Sequence, residues 1–132
     1  MSITQELSFS TSPEHVYSAL MSADEFGKVT GAPAEIDASE GAGFSCFGGQ
    51  ITGRQIELKP NERIVQAWRA GNWPEGSYSI VQFDISGSEE NTKLVLKHDG
   101  FPDGSAEHLE GGWHKMYWEP LAKYFEKAGS EG

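Results

Sequence analysis

The chain is short of three things: cysteine, positive charge and long apolar runs. With a single cysteine, Cys46, among 132 residues, no internal disulfide can form, and a reducing, cytoplasmic setting is expected. Ten lysines and arginines stand against twenty aspartates and glutamates, a formal net charge of −10. Such a chain repels phosphate backbones and anionic headgroups, so nucleic acid and membrane surfaces are not expected as partners. No run of about 18 apolar residues occurs and no charged-then-apolar leader opens the chain, so neither a membrane span nor export is expected. Metal chemistry lacks its spacing too. His15, His98, His108 and His114 form no His-Glu-x-x-His pattern, and one cysteine makes no zinc ribbon. The glycine-rich pieces GAG and FGGQITG match no phosphate-binding loop, and no cofactor is expected.

What is present fits one domain, residues 1–128, with a frayed tail at 129–132. Ile3 to Phe9 alternates apolar and polar residues except at Gln5, which reads as an edge strand. TSPE follows, with Thr11 and Glu14 at capping-box spacing and Pro13 suited to a first helical turn. Val16, Tyr17 and Leu20 give that short helix an apolar stripe. Ser22-Ala23-Asp24 caps a second, which runs through Phe26 and is ended by Gly31 and Pro33. From Ala34 to Phe101 the period is mostly two, interrupted at Gly43, Gly48-Gly49, Pro60-Asn61, Gly71-Asn72 and Gly87 to Asn91. This is a meander of about six antiparallel strands. Val81, Phe83 and Ile85 share one face, as do Leu94, Leu96 and His98, so His98 belongs on the core side near a strand end. Arg54 is placed on one face with Ile56 and Leu58.

The last segment covers that face. Leu109, Trp113, Met116, Tyr117, Leu121, Tyr124 and Phe125 recur at helical spacing from about Ser105 to Lys127. Met116, Leu121 and Phe125 are expected in the core. Pro120 lacks the N–H that would bond the carbonyl of Met116, so a kink is expected between Met116 and Glu119. The class is α+β: a strongly curved antiparallel sheet of about six to seven strands wrapped around one long C-terminal helix, with two short helices after the first strand.

The connection WRAGNWPEG, Trp68 to Gly76, places two tryptophans around a turn. Trp68 and Arg69 point to opposite faces of their strand. Trp68 and Trp73 can cap the open end of the core; alternatively Trp73 and Arg69 anchor a partner, since tryptophan and arginine are enriched among interface anchors. Cys46, with no adjacent basic residue, reads as a small buried apolar group.

The ordered series APAEIDASEGAGF, FGGQITG, IVQAWRAGNWPEGSY, TKLVLKHDGFP and GGWHKMYWEPLAKYF resembles the family named for the activator of heat-shock protein 90 ATPase, within the helix-grip (START-like) superfamily. The resemblance spans about Ile3 to Glu126. It implies a cavity between sheet and long helix, whose candidate lining is Arg54, Trp68, Phe83, His98, Trp113 and Tyr117. It also implies heat-shock protein 90 as a partner and a non-catalytic, co-chaperone or stress-related role. In the eukaryotic activator this region is the C-terminal half of a longer protein. Two other readings stay open. One is a carrier of a small hydrophobic ligand in that cavity. The other is a polyketide-cyclase-like enzyme, in which His98 with Arg54 or Tyr117 would supply acid, base or oxyanion donor.

Overall fold

The computed structural model describes residues 2–71, 73–74 and 76–125 in full and 126–131 as helical backbone. The expected fraying of 129–132 lies outside the fully described residues. Strand β1 (Ser2–Phe9) leads into helices α1 (Pro13–Met21) and α2 (Ala23–Thr30). Six strands follow: β2 (Ala34–Ile36), β3 (Gly43–Cys46), β4 (Ile51–Lys59), β5 (Arg63–Ala70), β6 (Ser79–Ser88) and β7 (Asn91–Asp99). The chain closes with α3 (Ala106–Trp113), a π-helical turn (His114–Trp118) and α4 (Glu119–Glu131). The seven strands form one antiparallel sheet in the order β1-β7-β6-β5-β4-β3-β2, so β1 is an edge strand.

Local chemistry accounts for the short helices, with one shift from expectation. The cap of α1 is Ser12, whose Oγ accepts from the His15 N–H at 3.2 Å, with Pro13 at the first helical position. Thr11, one residue earlier, instead bonds its Oγ1 to His15 Nδ1 at 2.9 Å. Ser22 caps α2 by accepting from the Glu25 N–H, and Gly31, at φ 72°, ends it in the left-handed conformation.

One face of the sheet carries the core. Ile64, Trp68, Val81, Phe83, Ile85, Leu94, Leu96 and His98 all point to it and are buried. On β4 the alternation is broken by a bulge between Gln55 and Glu57, because Gln55 pairs with Gln66 while Glu57 already pairs with Val65. The extra residue, Ile56, is left 48% exposed. Arg54, expected on the core face, pairs with the outward Ala67 and is exposed, its Nη1 donating to the Gly41 carbonyl at 2.8 Å. The inward places on that strand fall to Gly53 and Gln55. Gly53 has no room for a side chain, since an added Cβ would sit 1.9 Å from the Ala67 carbonyl oxygen and 2.7 Å from the Phe44 ring.

The C-terminal helix departs from the simplest expectation in an informative way. Its buried residues are Leu109, Trp113, Tyr117, Trp118, Leu121 and Phe125. In an unbroken α-helix at 100° per residue those six would spread over roughly 180° of the circumference. Looping out one residue between Trp113 and Tyr117 gathers them into roughly 100°, a stripe that one concave sheet can cover. The π turn supplies that extra residue, closed by the Glu119 N–H bonding back to the His114 carbonyl. Met116, expected in the core, is therefore 40% exposed, and Trp118 takes the inward place. The turn falls where a Pro120 kink was expected. Pro120 sits at the second position of α4, where a missing N–H costs little.

Candidate functional site

Deep between sheet and helix, the side chains pack closely. Phe83, Tyr117, Cys46 and Gln66 close around about 10 Å³, room for one water at most. At the end of the sheet, by contrast, an open groove of about 1110 Å³ lies between the Trp68–Gly76 turn and the α3–π-turn segment. Its walls are mainly apolar: Trp68, Trp73, Trp113, Tyr117, Phe47 and Met116, with Glu107, His108 and Lys115 among the polar groups at its margins.

Three tryptophans shape one side of the groove. Trp68 stacks on Trp113 with ring centroids 5.5 Å apart at 30°, and Trp73 meets Trp68 edge-on at 5.6 Å. Arg69 holds the turn that presents Trp73, its Nη2 donating to the Trp73 carbonyl at 2.8 Å and to the Pro74 carbonyl at 3.4 Å. Its guanidinium also lies 5.9 Å from the Tyr78 ring. Phe47 forms the opposite wall from a 3-10 turn in which it adopts φ 55°, a left-handed conformation unusual for a bulky side chain. Burial against Phe26 and Tyr117, at 5.8 and 5.7 Å, compensates for that strain.

Beneath the tryptophans lies a closed polar relay. The Trp113 indole N–H donates to His98 Nδ1 at 3.1 Å. Ser79 Oγ donates its proton to the Trp68 carbonyl at 2.9 Å, so at its 2.7 Å contact with His98 Nε2 it must accept. His98 is thereby fixed as the neutral Nε2–H tautomer with both ring nitrogens occupied. Burial among Trp68, Phe101 and Trp113 pushes its pKa down to about 4.

Two buried titratable groups nearby are likewise held neutral. Burial pushes the Cys46 thiol up to about 12. Burial first, and then the neighbouring Cys46, hold the Tyr117 phenol well above its ordinary value. The Trp68 indole N–H has no hydrogen-bond partner of normal geometry, although it lies close enough to the Tyr117 hydroxyl to offset part of that rise. Among the described residues no group of three His, Cys, Asp or Glu side chains is placed to hold a metal ion.

Of the six residues considered for the cavity, Trp68, Trp113 and Tyr117 line the groove. Phe83 belongs to the small inner void, His98 lies sealed beneath the indoles, and Arg54 is on the outer face. Trp73 lines the groove, whereas Arg69 braces the turn behind it. Met116, expected in the core, lines the groove instead, and the sequence did not single out Phe47, Trp118, Ser79 or the buried Gln55–Gln66 pair, in which Gln66 Nε2 donates to Gln55 Oε1 at 3.1 Å. Phe47 had a signal in the Phe-Gly-Gly that follows Cys46. Trp118 had one in the phase drift of the helical stripe.

Comparison with known proteins adds to this geometry. Residues 10–126 match the family model described as Activator of Hsp90 ATPase homolog 1-like protein. The chain is 30% identical over 123 residues to the activator of 90 kDa heat shock protein ATPase homolog 1 of Homo sapiens, covering 93% of this chain and 36% of that protein. It thus spans about a third of the length of the curated relatives it matches first. The crystal structure of an HSP90 activator from Plasmodium falciparum superposes with a TM-score of 0.86 at 28% identity, covering 92% of this chain and 93% of that one. The Aha1 dimer from Colwellia psychrerythraea, at 22% identity and a TM-score of 0.80 over 96% of each chain, shares the fold.

Proposed function

The chain belongs to the family of Activator of Hsp90 ATPase homolog 1-like proteins, and from that premise we propose that it is a non-catalytic binding domain that engages Hsp90 as a co-chaperone. The observation that carries this reading is the likeness to the Plasmodium falciparum HSP90 activator, which runs through nearly the whole of both chains. The site chemistry supports the non-catalytic part. Acid–base catalysis needs titratable groups converging on a substrate at suitable pKa values. Here His98 has both nitrogens engaged and Cys46 is buried and protonated.

Titrating purified chain into Hsp90 from the same organism, followed by calorimetry, tests the proposal. Saturable one-to-one heat is expected, and a flat titration at high micromolar concentration would count against it. A second reading, retention of a small hydrophobic ligand, is favoured by the mainly apolar groove of about 1110 Å³. Native mass spectrometry of the untreated protein distinguishes it, because a carried ligand appears as a defined added mass.

A further inference from the structure

We infer that the groove between the Trp68–Gly76 turn and the π turn is the face that meets the chaperone. Its occupant is a segment of Hsp90 bearing apolar anchor side chains flanked by lysine or arginine. The inference rests on the co-chaperone reading and adds to it a place and a chemistry.

Three observations select this face. The first is preformation. The inner space holds about 10 Å³ while the groove stays open, because Arg69 braces the Trp73 turn and the π turn swings Met116 outward. A groove already shaped costs little ordering on binding. The second is composition. Tryptophan in a partly desolvated pocket is the residue type most often found to dominate binding energy, and methionine adapts to an apolar partner. Trp73 is half-buried at the lip, and Met116 stands 40% exposed beside it.

The third is charge. The outer face of the sheet satisfies its own charges: Arg63 bridges Glu57 at 3.5 Å and Asp84 at 3.0 Å, Lys97 meets Asp84 at 3.6 Å, and Lys93 meets Glu6 at 3.0 Å. At the groove, exposed Asp103, between the lining residues Pro102 and Gly104, and Glu107 stand beside Lys115 and Arg69, whose two carbonyl partners leave its positive charge in place. The local charges balance, so the field there is set by the rest of the chain. With −10 on the whole chain, the field at the mouth favours a basic flank on whatever enters.

The test uses the intact chain and full-length Hsp90. Trp73→Ala and Met116→Glu each alter an exposed or half-exposed groove residue, and Ile80→Ser alters the outer sheet face, where Ile80 is 44% exposed. Each groove variant should weaken binding on the order of tenfold, while Ile80→Ser stays within about twofold. In heteronuclear NMR the Trp73 indole N–H should shift on adding Hsp90. That of Trp118, buried outside the groove lining and bonded to Gln5 Oε1 at 2.6 Å, should not. Affinity should also fall as salt rises.

Binding that survives both groove variants with Trp73 unmoved overturns this inference alone and leaves the co-chaperone reading standing. Salt-independent affinity overturns the basic flank. A small molecule that fills the groove and leaves Hsp90 binding intact overturns the peptide occupant. Absence of any Hsp90 binding overturns the inference together with its premise.

Discussion

At the scale of single residues, His98 decides between a catalytic and a structural site. Histidine in an unfolded chain titrates near 6.5, whereas burial holds it at about 4 in the folded protein. Between those values the unfolded state binds the extra proton, so stability is fully present above about 6.5 and falls as pH drops toward 4. The loss is roughly 3 kcal/mol at most. His98→Gln, whose amide can accept from Trp113 and donate to Ser79, should remove this contribution. Urea midpoints of the two proteins measured from pH 7 to pH 5 should converge as pH falls, and parallel curves would show that His98 is not protected as described. Ser79→Ala leaves the buried His98 Nε2–H without an acceptor and should cost about 1–3 kcal/mol in the same assay. The inward placing of His98 was legible from strand alternation. Its partners were not, because Ser79, on the neighbouring strand, and Trp113, on the helix, meet it only through tertiary packing. Arg54 shows the converse: strict alternation was assumed through Ile56, and the bulge there leaves Arg54 facing solvent while Gln55 turns inward.

At the scale of elements, the π turn links Pro120 to the groove. The extra residue restores the phase of the buried stripe, and it also starts α4 afresh so that Pro120 needs no N–H. Pro120→Ala alone should therefore change stability by much less than the roughly 3 kcal/mol that proline costs in a helix interior. Deleting Met116 would turn the segment into continuous α-helix with the stripe still aligned, which would put Pro120 in the helix interior. That deletion should destabilise by about 3 kcal/mol more in the native background than in one already carrying Pro120→Ala. Equal losses in both backgrounds, read by chemical denaturation, would break the link. The sequence announced the disturbance through Pro120, and its form was readable in principle from the drift between Trp113 and Trp118. Counting Met116 as core hid it, since Met116 and Leu121 also fit a plain helical spacing. The strands were easier, because turn residues separate them and each buries one face. The six from Ala34 to Asp99 follow the expected meander closely.

At the scale of the whole molecule, a filled interior and an open, tryptophan-lined end suit a domain that works by surface recognition. The curved sheet and the closing helix spend most of their large side chains on one another, and the sizeable space between them opens at the tryptophan-lined end. What reaches solvent is a rigid lip and an acidic field. Fold and family were legible because the order of motifs survives along nearly the whole chain. The location of the open space was not, since filled and empty interiors are built from the same aromatic residues and differ only in how these pack.

The most direct measurement of that account is the steady-state ATP turnover of Hsp90 as this chain is added, with Trp73→Ala run in parallel. The account predicts a saturable change in turnover that the variant reaches only at about tenfold higher concentration. Unchanged turnover throughout, or identical curves for the two proteins, would contradict it.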